Sequence, residues 1–352
     1  MKTYLITGGA GFIGSNYIIQ LMDAAESMKV INLDALTYAG NPENLQSVEK
    51  DPRYQFIHGN ICDEALLKDI FSQNQIDYVI NFAAESHVDR SITSPRIFLD
   101  TNVGGTFQLL NAAKQAWEEG DGKFRAGVKF LQISTDEVYG SLGETGLFTE
   151  TTPLDPHSPY SAAKASADLF VKAYADTYGF PANITRCSNN YGPYQFPEKL
   201  IPLVINNTMT GRNIPVYGDG KNVRDWLHVS DHCRAIHMVL MQAKAGEVYN
   251  IGGNNERMNI EIVNLILEAV RERGYEKSTS GLITYVTDRK GHDRRYGIDP
   301  AKIKNDLGWE PQISFTEGIK DTVDWYLAHT DWMKKITDGS YMTYYQQMYE
   351  NR

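Results

Sequence analysis

The chain has 352 residues, 42% hydrophobic and 22% charged with 29 glycines, which excludes a disordered, collagen-like or coiled-coil chain and suits two domains or one large α/β unit. With 34 basic against 44 acidic residues the net charge is −10, so nonspecific binding to nucleic acid or an anionic membrane is disfavoured, and an anionic ligand must be held by a few local arginines and lysines. No run approaches the ~20 apolar residues of a spanning helix, and the N-terminal MKTYLITGGAGFIGS lacks a secretory pattern. Three widely spaced cysteines (Cys62, Cys187, Cys233) and eight unclustered histidines predict a reducing cytoplasm and no metal.

In chain order, residues 2–7 read as a strand, 8–14 as a tight turn and 12–22 as a helix. Short strands follow at 30–34 and 54–57, a helix at 64–72, a strand at 77–82, a helix at 102–119 and a strand at 128–134. Strands alternating with such helices predict an α/β fold of Rossmann type, a doubly wound parallel sheet with right-handed crossovers. Residues 141–158 read as a long loop over the C-terminal edge of the sheet, and Ser158-Pro159 starts a helix over 160–178. Beyond Asn190 the segments are shorter and richer in Pro and Gly. The division expected is a Rossmann domain over 1–185 and a smaller, discontinuous C-terminal domain over 186–352, with the chain returning to the sheet around 226–251. The Trp/Tyr/Met-rich tail, 325–349, reads as amphipathic helix.

Gly8, Gly11 and Gly14 form G-x-x-G-x-x-G between a strand and a helix. Such a turn lets the backbone approach a pyrophosphate and aims a helix N-terminus at the anion. Asp34, at the end of the second strand, suits ribose hydroxyls and would repel a 2′-phosphate, so NAD is expected rather than NADP. The glycine spacing differs from the common G-x-G-x-x-G and points to another branch of the superfamily. Tyr160-Ser161-Ala162-Ala163-Lys164 is Y-x-x-x-K, which puts the phenol and the ammonium on one helix face. A cation near the phenol, Lys164 or a nicotinamide ring, favours the phenolate.

These features, with Thr7–Ser15 (TGGAGFIGS), Asp34-Ala35-Leu36-Thr37-Tyr38-Ala39-Gly40, FAAESHVDRS from Phe82, STDEVYG from Ser134, SNNYGP from Ser188 and Arg224-Asp225-Trp226, resemble the extended short-chain dehydrogenase/reductase superfamily. Within it, the chain is similar to the dTDP-glucose 4,6-dehydratases over nearly its whole length. Thr135-Asp136-Glu137 carries the most specific part of the resemblance. Eliminating a C6 hydroxyl needs a base at C5 and an acid at the leaving oxygen, and two adjacent carboxyls serve if their environments separate their pKa values. The resemblance implies Tyr160 as the base for the C4 hydroxyl, Thr135 hydrogen-bonded to that oxygen, Glu137 as the C5 base and Asp136 as the acid.

It further implies NAD contacts at Gly8, Gly11, Phe12, Ile13, Gly14, Asp34, Ala35, Leu36, Thr37, Asn60, Ile61, Phe82, Ala83, Ala84, Ser86, Thr101, Tyr160, Lys164 and Asn190. At Asn60-Ile61 the family often has Asp-Ile or Asp-Leu. For the nucleotide sugar it implies Ser86, Thr135, Asn189, Lys199, Leu200, Pro215, Val216, Tyr217, Arg224, Asn259, Asp293 and Tyr296, with Arg224 as the phosphate clamp. The identity of the nucleobase rests on the resemblance alone. A 4-epimerase of the same fold, or a dehydratase acting on another nucleotide sugar, is the nearest rival; a non-catalytic NAD-binding regulator would be expected to lose Tyr160, Lys164 or the carboxylates. His87 and Cys187, without a partner at nucleophile–base spacing, read as packing residues. A homodimer is expected through a four-helix bundle of the 102–119 and 160–178 helices, with Ala163, Ala167, Phe170 and Tyr174 as the contact stripe.

Overall fold

The computed structural model describes residues 1–24, 27–120, 122–275, 278–337 and 341. Lys2–Thr7 (β1) is buried along nearly all its length, as a central parallel strand must be. Phe12–Ala24 (α1), Met28–Asp34 (β2), Tyr54–His58 (β3), Glu64–Gln73 (α2) and Tyr78–Asn81 (β4) follow. Asp63 caps α2 by accepting the Leu66 N–H at 3.0 Å. Two short helices, Val88–Thr93 (α3) and Pro95–Phe98 (α4), and a π-type turn at Leu99–Gly105 lead into Thr106–Trp117 (α5).

The helix expected over 102–119 differs at both ends: its first residues are π-helical, in a helical run that already begins at Pro95, and α5 stops at Trp117. Gly105 lies in the wide turn, where a Cβ would sit 2.6 Å from the Ile61 side chain, and Glu118–Gly120 (β5) extends to pair with Lys123–Phe124 (β6). Lys129–Thr135 (β7) runs directly into a 3₁₀ turn at Asp136–Tyr139. Residues 140–158 carry no helix or regular strand; Phe148 pins them, its N–H donating to the Gly297 carbonyl at 2.9 Å. Pro159–Tyr178 (α6) begins at Ser158, whose hydroxyl accepts the Ser161 N–H, and stops at Gly179 in the left-handed conformation.

Ala182–Cys187 (β8), Asn189–Tyr191 (β9), Leu200–Thr210 (α7), Ile214–Tyr217 (β10), Val223–His228 (β11), Val229–Gln242 (α8) and Val248–Ile251 (β12) come next. Glu256–Met258 (β13), Asn259–Glu272 (α9), Ile283–Val286 (β14), Ala301–Leu307 (α10), Phe315–Ala328 (α11) and Thr330–Ile336 (α12) complete the described elements. Of the tail over 325–349, residues 338–340 and 342–349 lie outside the described residues.

Seven parallel strands form the large sheet in the order β3-β2-β1-β4-β7-β8-β12. The order reverses between β1 and β4, and a crevice opens there at the strands' C-terminal ends. One face is covered by α1 and α8, with Tyr17, Ile18, Ile236 and Val239 in the core. The other is covered by α2, α5 and α6, where Trp117 stacks on Phe180 at 5.5 Å. A smaller layer contains β9, β11 and β13 in one sheet and β10 with β14 in another, packed on α7, α9 and α11 around Trp226, Ile266 and Tyr326. Thus within 226–251 the strand β11 stays in the smaller layer, while α8 and β12 join the large one. Among the described residues no helix is long and apolar enough to cross a membrane.

The contact stripe predicted on α6 is corrected by the packing. Ala163, Ala167 and Tyr174 are buried within the chain itself, because small residues let α6 lie close to its own sheet and to α3–α5. Only Phe170 of that stripe is exposed, and it joins Ile97, Leu99, Phe107 and Leu169 in an outward-facing apolar patch.

Candidate active site

The crevice begins at the glycine turn. Gly8 has φ +70°, and a Cβ there would lie 2.6 Å from the Ala83 nitrogen; one at Gly14 would lie 2.4 Å from the Gly8 carbonyl oxygen. No larger residue fits, so the turn stays tight against the loop after β4. Asp34 closes the other side: Oδ2 accepts the Ala10 N–H and Oδ1 the Leu36 N–H, both at 2.8 Å. Burial raises the Asp34 carboxyl's pKa, and those two N–H groups oppose the shift. Leu36 itself takes φ +48°, which turns the loop so that Ala35 and Thr37 line the crevice and Leu36 does not.

Gly11, Phe12, Ile13, Asn60, Ile61, Phe82, Ala83, Ala84, Ser86, Thr101 and Asn190 line the same crevice. Asn60 Oδ1 accepts the Cys62 N–H at 2.9 Å. Asn190 is oriented by His232, whose Nδ1 lies 2.9 Å from Asn190 Oδ1, and by the Ser188 carbonyl.

Thr135, Asp136, Glu137, Tyr160 and Lys164 line the deeper end. The consecutive carboxyls escape strand alternation because β7 breaks into a 3₁₀ turn at Asp136, held by the Glu137 N–H donating to Thr135 Oγ1 at 3.3 Å. Asp136 is 2% exposed, and its Oδ2 has no hydrogen-bond partner among the described residues. Burial drives its pKa well above the usual carboxylate range; the charge of Glu137 adds to this and that of Arg224 opposes it. Burial thus favours the neutral acid at Asp136.

Tyr160 departs from the expected phenolate. Burial, then Glu137, pushes its pKa well above the ordinary tyrosine value, and the Lys164 ammonium donates to the Ile133 carbonyl at 2.6 Å. Burial lowers the pKa of Lys164 and Asp168 opposes that shift. Behind them Asp168 Oδ2 accepts from Arg186 Nε at 2.9 Å and from the Ser134 hydroxyl at 3.0 Å, while Arg186 Nη1 donates to the Tyr139 hydroxyl. This buried ion pair ties α6 to both ends of the carboxylate-bearing turn. Cys187 lines the floor as a protonated thiol, its pKa pushed up to about 12 by burial. Burial and three nearby cations hold the His87 imidazole neutral.

Of the residues predicted for the second ligand, Ser86, Thr135, Asn189 and Lys199 line this crevice. Leu200, Pro215, Val216, Tyr217, Arg224, Asn259, Asp293 and Tyr296 do not line it; they lie in the smaller layer and the segments packed on it. There, Arg224 Nη2 donates to the Asp293 carbonyl at 2.9 Å and its guanidinium lies 4.2 Å from the centre of the Tyr296 ring, while the Tyr296 hydroxyl donates to Asp293 Oδ2 at 2.6 Å. Tyr217 donates to Asp89 Oδ2 at 3.4 Å. Glu85 completes the Ala83–Ser86 turn in the lining, and Gln195, Phe196 and Glu198 also line the crevice; sequence reasoning missed these last three. For Glu198 the available signal was a carboxyl directly before Lys199.

Known proteins sharpen this picture. The profile of the GDP-mannose 4,6 dehydratase family matches residues 5–322. A dTDP-glucose 4,6-dehydratase from Xanthomonas campestris pv. campestris (strain B100) is 55% identical over 344 residues, 97% of each chain. The chain belongs to the dTDP-glucose 4,6-dehydratase family. The enzyme of that family from Bacillus anthracis, solved in complex with NAD, is 49% identical with a TM-score of 0.86, covering 96% of this chain and 100% of its own. That from Streptomyces venezuelae, also solved with NAD bound, is 47% identical with a TM-score of 0.88, covering 95% and 99%. The dehydratase family thus accounts for the seven-stranded parallel sheet and for a crevice that holds both a glycine turn and a Thr-Asp-Glu turn.

Proposed function

We propose that this chain converts dTDP-glucose to dTDP-4-keto-6-deoxyglucose with NAD as a resident cofactor. The observation that carries this reading is the meeting of Thr135, Asp136 and Glu137 with Tyr160 and Lys164 in one crevice, where burial pushes the Asp136 pKa up. The glycine cradle and the buried Asp34 opposite it suit a dinucleotide with a free 2′-hydroxyl, the cradle taking the pyrophosphate and Asp34 the ribose. NAD, when bound, supplies the hydride acceptor for C4, the donor for C6 and a positive ring that favours a phenolate at Tyr160.

Tyr160 takes the C4 hydroxyl proton, with Thr135 hydrogen-bonded to that oxygen and Lys164 beside it. The 4-ketone acidifies C5–H, and Glu137 takes that proton. Asp136 gives its proton to the C6 hydroxyl, which leaves as water. Glu137, after exchange with solvent, then returns a proton to C5, and bound NAD would supply the hydride for C6. A base at C5 and an acid at the leaving oxygen are the pair this elimination requires, and burial separates the Asp136 carboxyl from its neighbour in that sense.

The remaining predicted residues act as binding groups in this reading. Lys199 and Arg224 supply the local positive charge that a nucleoside diphosphate needs on a chain of net charge −10. Residues 1–185 with α8 and β12 serve NAD, and most of 186–352 serves the nucleotide sugar. The outward apolar patch of Leu99, Phe107, Leu169 and Phe170 supports a homodimer through α5 and α6. Three free cysteines support a reducing, cytoplasmic setting.

Incubation with dTDP-glucose in D₂O tests the reading. A 6-deoxy-4-keto product carrying deuterium at C5 is expected; a C4 epimer without solvent label, or no turnover, would contradict it.

A further inference from the structure

Glu198, a buried carboxylate of the crevice, has no task in the reaction above. It lies just before α7 with its side chain 1% exposed, beside Lys199 in the lining. Its Oε1 accepts from the Tyr38 hydroxyl at 2.9 Å and its Oε2 from Arg90 Nε at 3.3 Å. The Arg90 guanidinium lies over Tyr38, 3.8 Å from the centre of its ring.

The three come from separate parts of the fold. Tyr38 sits in the loop after β2, between Thr37 and Ala39, which both face the crevice. Arg90 sits on α3, beyond the loop after β4. Glu198 belongs to the segment that enters the smaller layer, and next to it Lys199 Nζ donates to the Ser86 carbonyl at 3.0 Å. The segment is therefore fastened to both loops that flank the glycine turn. A buried carboxylate costs several kcal/mol unless it is paired and hydrogen-bonded, and here all its ties run between the layers.

We infer that Tyr38, Arg90 and Glu198 form a clasp that pins the smaller layer over the dinucleotide crevice and slows the escape of NAD, with Glu198 a positioning residue rather than a catalytic one. The inference rests on the reading that NAD occupies this crevice. A reaction that takes hydride from a sugar and returns it to the same sugar needs no exchange of cofactor between turnovers. Restraining the crevice therefore costs the cycle nothing at the cofactor side, and release of the product requires only that the sugar side opens.

The test is the exchange of bound NAD for labelled NAD in the purified holoprotein. Tyr38→Phe keeps the ring under Arg90 and removes the hydroxyl's hydrogen bonds to Glu198 and Ser86; exchange is expected to quicken about 3–10-fold. Glu198→Gln removes the charge-assisted tie, for about 10–100-fold faster exchange. At saturating NAD, kcat of Tyr38→Phe should stay within about twofold of the parent, because the clasp does not touch the reacting atoms. Arg273→Gln, which cuts an ion pair with Asp324 between α9 and α11, serves as the control and should exchange like the parent. Parent-like exchange in both clasp variants would overturn the proposal, as would a kcat loss in Tyr38→Phe that matches its gain in exchange. A parent protein that neither carries nor takes up NAD would overturn the underlying reading, and the clasp with it.

Discussion

The sheet edge and the smaller layer are built in different ways. At the sheet edge, chemistry is concentrated in short stretches of sequence: three consecutive residues, Thr135 to Glu137, and one helical turn, Tyr160 to Lys164. The strand end and the helix that carry them are locked by the buried Asp168–Arg186 pair. In the smaller layer, Arg224, Asp293 and Tyr296 assemble from β11 and a segment about seventy residues further on, held mostly through backbone carbonyls and one ring face. The first region is a fixed constellation that sets which bonds break. The second is a looser cluster suited to recognition, so damage there should fall on affinity.

That contrast breaks most readily at Tyr160. Tyr160→Phe removes the group that takes the C4 proton, and the rate of the first oxidation should drop by about 10²–10⁴ with little change in KM. The check is single-turnover absorbance of the reduced nicotinamide. A comparable loss confined to KM would erase the distinction between the regions.

Arg224→Lys probes the other side. The ammonium keeps the positive charge near Asp136 but loses the fork that grips phosphate oxygens. KM for the nucleotide sugar should rise about 10-fold or more, in keeping with one charge-assisted hydrogen bond, with kcat falling much less. Steady-state kinetics would show the reverse if Arg224 mainly tuned the acid.

A smaller effect is expected at His157, whose Nδ1 lies 2.6 Å from Asp293 Oδ1. The hydrogen bond to Asp293, and its charge, raise the imidazole pKa above the ordinary value. A raised folded-state pKa means that the stabilisation is fully present below the unfolded value of about 6.5 and is lost as pH rises through the folded value. Thermal midpoints should therefore fall slightly from about pH 6 to pH 8, and His157→Gln should flatten that slope. The side chain is 42% exposed, so solvent keeps the effect small.

The same contrast explains what the sequence could disclose. The glycine turn with Asp34, the Thr-Asp-Glu triplet and Y-x-x-x-K are local patterns whose spacing already states their geometry. Glu198 could not be read this way, since its partners Tyr38 and Arg90 lie 160 and 108 residues away. His232 beside Asn190 is equally distant in kind: nothing around either residue announces the other. The helix over 102–119 was misplaced at both ends: helical backbone already starts at Pro95 and widens through the glycine pair at 104–105, and Glu118 leaves the helix to pair with Phe124. The α6 stripe failed for a related reason, as a helix with two apolar faces does not declare which one meets its own sheet.

The separation of oxidation from elimination is the central claim, and Glu137→Gln tests it most directly. The amide keeps the shape of the side chain but cannot accept the C5 proton, whereas Tyr160 and Lys164 remain intact. Mixed with dTDP-glucose in a stopped-flow spectrometer, this variant should show reduced nicotinamide forming and then persisting, while 6-deoxy product appears about 10²–10⁴ times more slowly than in the parent. Turnover near the parent rate, or normal substrate binding with no reduced nicotinamide at all, would contradict the account.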